Sequence, residues 1–134
     1  MAKVNPFCAV RPRDDLAERI AALPYDVYSR QEAYEKVQGD PYTFLRIDRP
    51  ETQFAADYDM YAPEVYGKAR DLLVGMLEDG LFIEETREAY YVYELVMDGR
   101  SQVGIGACAC VDDYERQVIK KHENTRADKE ADRI

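Results

Sequence analysis

Three short segments of this 134-residue sequence carry side chains able to move protons or grip anions. The densest is Lys120-Lys121-His122-Glu123-Asn124-Thr125-Arg126, which continues through Asp128, Lys129, Asp132 and Arg133. It contains the chain's single histidine, next to a carboxylate. Histidine exchanges protons near neutral pH, and a neighbouring carboxylate either orients it or acts as the base itself. Lys120, Lys121, Arg126 and Arg133 offer the charge-assisted donors that a phosphate or carboxylate wants. A solvated helix would use the same residues differently, since Asp128 and Asp132, or Lys129 and Arg133, share one helical face. The second segment, Pro24-Tyr25-Asp26-Val27, sets a phenol beside a carboxylate at the end of an element, with Asp26 a further candidate for proton transfer and Tyr25 for binding. Its structural alternative is a turn in which Asp26 accepts local backbone donors. The third is Asp40-Pro41-Tyr42-Thr43-Phe44-Leu45-Arg46. Read as a strand, it places Arg46 on a face with Tyr42 and Phe44, where it either snorkels over the rings or lines a pocket.

Positioning these groups requires elements that the sequence outlines. Leu16 and Ile20 lie four apart in a short helical pattern from Asp14 to Ala22, broken at Leu23 because Pro24 disfavours helix before it. Ser29 and Glu32 have the spacing of a capping box, and Gly39 is the natural stop of the helix they start. Tyr42 to Ile47 is rich in strand formers. Residues 48–62 read as an irregular, tyrosine-bearing loop. A longer helix opens at Pro63, carries Val65, Ala69, Leu72, Leu73, Met76 and Leu77 at helical spacing, and closes at Gly80. Strands follow from Phe82, with Asp98-Gly99 joining Tyr90–Met97 to Gln102–Val111 as a hairpin. The fold class expected is α+β, a mixed or antiparallel sheet with a β-hairpin and about three flanking helices. Residues 1–134 form one such domain or the front part of a longer protein. Residues 115–134 are then a charged terminal segment whose ordering depends on what comes after it.

Composition narrows the partners. A net charge of −9 argues against nucleic acid, which needs clustered Lys and Arg, but leaves room for a small anionic metabolite in a local basic pocket. No apolar run reaches the about 18 residues of a membrane span, and the N-terminus lacks a signal-peptide pattern, so the expected location is cytoplasmic. Cys8, Cys108 and Cys110 lack disulfide-framework spacing and read as reduced core cysteines, with no metal site expected. Gly104-Ile105-Gly106 lacks the third glycine and the following helix of a dinucleotide loop.

Together the three segments, with Arg11-Pro12, Tyr91-Val92-Tyr93 and Ile119, resemble the domain of unknown function 1015 family of bacterial and archaeal proteins along essentially the whole chain. The resemblance implies a longer protein. Family members carry, well beyond this stretch, an Asp-Gly-His-His-Arg motif similar to the phosphate-binding turn of the ParB and sulfiredoxin superfamily. It implies a nucleotide as the cofactor of the full-length protein, and the remainder of the chain as a partner. On this reading His122, Glu123 and Arg133 meet Tyr25, Asp26 and Arg46 in a cleft suited to phosphoryl transfer onto a small hydroxyl compound. Two alternatives stand beside it: a metabolite-binding regulatory module without chemistry, and an acidic interaction domain using the tyrosine-rich stretch Tyr58 to Tyr66. Homo-oligomerisation is compatible with all three.

Overall fold

The computed structural model describes residues 1–120 together with 122, 126 and 127. In chain order its elements are β1 (Val4–Asn5), β2 (Val10–Pro12), α1 (Ala17–Ile20), a 3₁₀ turn at Tyr25–Val27, α2 (Arg30–Gly39), α3 (Leu45–Asp48) and a second 3₁₀ turn at Pro50–Gln53. There follow α4 (Pro63–Glu78), β3 (Phe82–Glu84), β4 (Tyr91–Met97), β5 (Arg100–Gly106), β6 (Cys108–Ala109) and α5 (Val111–Glu115). The described residues form two-stranded sheets, β1 with β6, β2 with β3 and β4 with β5, so the α+β class holds. Two compact units divide the chain, one made of residues 1–9 and 84–134, the other of residues 10–83.

The unit of residues 10–83 contains every buried apolar side chain among the described residues: Ile20, Ala33, Val37, Leu45, Val65 and Met76. Its two substantial helices begin and end as their sequences dictate. Ser29 caps α2 in a complete capping box, its hydroxyl accepting from the Glu32 amide while the Glu32 carboxylate takes the Ser29 amide. Helix α4 starts on Pro63 and stops in a Schellman arrangement, in which the Leu81 amide bonds the Met76 carbonyl and the Gly80 amide bonds that of Leu77. Closure of that motif requires the left-handed φ of 67° at Gly80, where glycine meets no steric penalty. Val65 and Met76 turn inward from α4 as the spacing predicts, but Leu73 and Leu77 remain exposed.

One expected strand is absent. Tyr42 to Ile47 folds as a turn leading into α3, because two side chains offer the backbone a closer partner than a sheet would. The Asp40 carboxylate accepts the Tyr42 amide at 2.9 Å, and the Thr43 hydroxyl accepts the Leu45 amide at 3.4 Å. Such local side-chain bonds compete directly with ladder formation. The alternation behind the strand reading survives in part, since Thr43 and Leu45 are both buried. Helix α1 is also shorter than the pattern from Asp14 to Ala22 suggests.

In the other unit, the hairpin is as expected. Asp98 (φ 52°) and Gly99 (φ 75°) form its two-residue turn, and the register runs from Met97 opposite Arg100 to Tyr91 opposite Gly106. The second strand stops at Gly106, short of Val111. After Ala107, β6 pairs instead with the N-terminal β1, Val4 facing Ala109 and Asn5 facing Cys108. Phe7 bridges to Ala89 and packs its ring 4.9 Å from that of Tyr91, whose hydroxyl donates to the Phe7 carbonyl. The cysteines depart from the core reading: Cys8 and Cys108 are exposed and Cys110 is half-buried. Cys110 leaves the strand altogether to precede α5, its amide bonded to the Lys3 carbonyl. The exposed apolar surface is on the hairpin more than on the Tyr58–Tyr66 stretch, where Tyr58 stacks on Phe54 and only Tyr61 and Tyr66 stand out.

Candidate functional site

Tyr25 and Asp26 lie on the 3₁₀ turn between Pro24 and Tyr28, both exposed, together with Leu23 and Val27. A short exposed turn has little burial to hold its shape, and here the restraint comes from a residue that the sequence reading passed over. Arg49, at the C-terminal end of α3, donates from one guanidinium nitrogen to the carbonyls of Tyr25 (3.1 Å) and Tyr28 (3.0 Å). Its Nε bonds the Glu51 carboxylate at 2.7 Å. The pair is well withdrawn from water, with side-chain exposures of 12% for Arg49 and 2% for Glu51. Two desolvated charges are expensive unless paired and hydrogen-bonded, and Arg49 meets that condition by fastening the turn.

Arg46, one helical turn before Arg49, was expected to grip a ligand. Its two terminal nitrogens instead go to the Pro41 carbonyl at 2.6 Å and the Gln53 side chain at 3.1 Å. It ties the Asp40–Tyr42 loop to the 3₁₀ turn at Pro50–Gln53, and so acts as a brace. The arginine that does cover Tyr42 is Arg19, its guanidinium 4.2 Å from the ring centre and bonded through two nitrogens to Asp40. Tyr34 of α2 places its hydroxyl within reach of the carbonyls of Glu51, Phe54 and Ala55. The result is a belt of side-chain hydrogen bonds, most of them to backbone, from residue 19 to residue 55.

Asp40 titrates below the ordinary aspartate range, first because it accepts the Tyr42 amide and then because of Arg19. A depressed carboxyl stabilises the folded state above its unfolded value, and that contribution disappears as pH falls through the lowered value. Asp40→Asn keeps an acceptor for Tyr42 but loses the charge. Urea midpoints of the two proteins should therefore differ at pH 7 and converge on acidification; a gap independent of pH would contradict the assignment. Asp48 behaves oppositely. Although open to solvent, it is crowded enough that partial desolvation pushes its carboxyl up.

The remaining expected site residues belong to the other unit. Lys120 and His122 are exposed. Lys121, Glu123 and Arg133 lie outside the described residues, and with them the expected meeting of this segment with Tyr25, Asp26 and Arg46. Among the described residues no group of three or more His, Cys, Asp or Glu is placed to hold a metal ion, and no helix is long and apolar enough to cross a membrane.

The structure therefore places Tyr25 and Asp26 on one exposed turn, gives Arg46 a bracing role, and adds Arg49 and Glu51. A signal for the last two was present in the sequence. Arg49-Pro50-Glu51 sets opposite charges around a proline, but side chains two apart could equally have pointed into water. No curated protein and no solved structure matches the chain, and the relation to the ParB and sulfiredoxin superfamily gains no support from these comparisons. A family model does match, over residues 4–134, and the chain thus belongs to the family described as "Protein of unknown function (DUF1015)".

Proposed function

We propose that the Pro24–Tyr28 turn is a preformed binding element for a small hydroxylated, anionic metabolite, with Asp26 accepting a ligand hydroxyl and Tyr25 supplying an aromatic wall. The observation that supports this reading is the buried Arg49–Glu51 pair beneath an exposed turn. A buried ion pair adds little net stability over an apolar replacement. Its use here is geometric, because it fixes two carbonyls of a segment that contributes no fully buried side chain. Preorganisation of exposed groups is what a binding site needs and a core does not.

In the whole protein the same carboxylate could serve a phosphoryl transfer, drawing the proton from the bound hydroxyl while other groups hold the phosphate. That finer reading rests on the family resemblance and on the reactivity of His122, Glu123, Lys120, Lys121 and Arg133 as residue types.

Calorimetric titration of the protein with small hydroxy acids, with and without nucleotide, tests both levels. Asp26→Asn should weaken hydroxy-acid binding by about tenfold or more, the scale of a hydrogen bond to a charged group. Its melting temperature should stay unchanged because Asp26 is exposed. Equal binding by the variant would end the proposal. Binding that persists without turnover in the presence of every nucleotide would leave a metabolite sensor and remove the transferase.

A further inference from the structure

Among the described residues the β4–β5 hairpin is apolar on both faces and covered only at its Tyr91 end, where Phe7 packs. Val92, Met97 and Ile105 are 75–79% exposed, and Tyr93, Leu95, Val96 and Val103 are also largely open. An isolated two-stranded ribbon is marginal in water and normally gains a third strand or a packed face. Each strand also has an outer edge whose identity follows from the turn. With a two-residue turn the flanking pair Met97–Arg100 is hydrogen-bonded, and hydrogen-bonded pairs then alternate along the ladder. The outward-pointing backbone groups therefore belong to Val92, Glu94 and Val96 on β4, and to Ser101, Val103 and Ile105 on β5.

These two edges are not equivalent. An antiparallel pairing of β4 with its own copy, centred on Glu94, would oppose two carboxylates, and like charges directly opposite are destabilising. The β5 edge has no such obstacle. From Ser101 to Gly106 it carries no charged residue. It also lacks the proline, lysine or bulge by which exposed edges are usually blunted. Centred on Val103, a two-fold pairing sets Val103 against Val103 and Ser101 against Ile105. On one face it creates the row Glu94, Val103, Val103, Glu94, in which the carboxylates are at the far ends. On the other face Gln102 of each copy lies opposite Gly104, whose missing side chain leaves space beside Tyr93, its partner across the hairpin. The pattern is self-complementary, as an isologous interface must be.

We infer that β5 is a homodimerisation edge, pairing antiparallel with β5 of a second copy about Val103 to form a four-stranded sheet. A single seven-residue edge falls short of the about 800 Å² per partner of a standard interface, so the pair should be weak, with dissociation in the micromolar range. Added salt should strengthen it by screening the acidic chains.

Sedimentation equilibrium of the whole chain tests this. The average mass should rise from 15.5 kDa toward twice that value as concentration passes from about 1 to 200 µM, the range set by micromolar dissociation. Val103→Pro removes an outward N–H that the hairpin itself does not use, and Val103→Lys opposes two charges on the axis without altering the backbone. Both should remain monomeric with unchanged circular dichroism. Val92→Pro, the equivalent change on the β4 edge, should still assemble. A wild type that stays monomeric at 200 µM refutes the proposal. So does assembly of the Val103→Lys protein at wild-type concentrations, or loss of assembly in Val92→Pro.

Discussion

Arg49→Ala should destabilise the unit of residues 10–83 by about 3–5 kcal/mol, the cost of leaving one member of a buried ion pair uncompensated. Glu51, 2% exposed, would keep its charge without the guanidinium that answers it. Two backbone carbonyls, those of Tyr25 and Tyr28, would lose a donor in the same step. Arg49→Lys should fall between, because an ammonium is one donor atom whereas the native fork uses two nitrogens in separate directions. The double variant Arg49→Met/Glu51→Leu separates charge from shape. Removing both partners takes away the desolvation cost as well as the attraction, so most of the lost stability should return. What should not return is the geometry of the Tyr25–Tyr28 turn. Amide exchange at residues 25–28 would stay fast in the double variant while α2 and α4 regain protection. Urea unfolding followed by tyrosine fluorescence reads the stabilities. A loss below about 1 kcal/mol would place the pair with ordinary surface bridges and would remove the physical basis for a preorganised turn.

That turn also marks the boundary between what was legible in the sequence and what was not. Signals carried by backbone chemistry transferred well. The Ser29–Glu32 capping box, the Pro63 start and Gly80 stop of α4, and the Asp98-Gly99 hairpin are all found where their residues require them, because each depends on neighbours close in the chain. The failure at Tyr42–Ile47 arose from a choice between two local signals. Strand propensity is a diffuse preference spread over six residues, whereas the Asp40 and Thr43 side chains each capture one backbone amide. Two such bonds prevailed, since β propensity reflects packing on a sheet and no sheet forms there. Arg46 and Arg49 show a different limit. One lies on α3 and the other caps it, and only the fold decides that the first braces a loop while the second is withdrawn from water against Glu51. The cysteines show the same limit. The apolar run around Cys108 and Cys110 suggests a core, yet only Cys108 lies in a strand, a two-residue pairing with the N-terminal β1, and it is open to water.

Leu45→Ala addresses the corrected segment directly, and it should cost about 2–5 kcal/mol, the range for emptying a fully buried leucine site. Leu45 is 0% exposed in a small cluster with Ala33 and Val37, against which Tyr28 packs. Alanine is the best helix former, so a loss of this size at a helical position cannot come from backbone preference and must come from the lost contacts and the cavity. The same change in a strand would mix both effects. Leu45→Met, which nearly conserves volume, should cost less than about 1.5 kcal/mol. The contrast between the two substitutions therefore reports packing alone. A further consequence links the core to the candidate site. Tyr28 rests on this cluster, and its carbonyl is one of the two that Arg49 holds. A cavity beneath Tyr28 should loosen one end of the turn, so Leu45→Ala ought to weaken hydroxy-acid binding even under conditions where the protein is fully folded, while Leu45→Met should not. If Leu45→Ala lowers stability but leaves binding intact, the turn is held by Arg49 independently of the core beneath it. If neither property changes, the cluster of Ala33, Val37 and Leu45 is not the centre on which this unit folds.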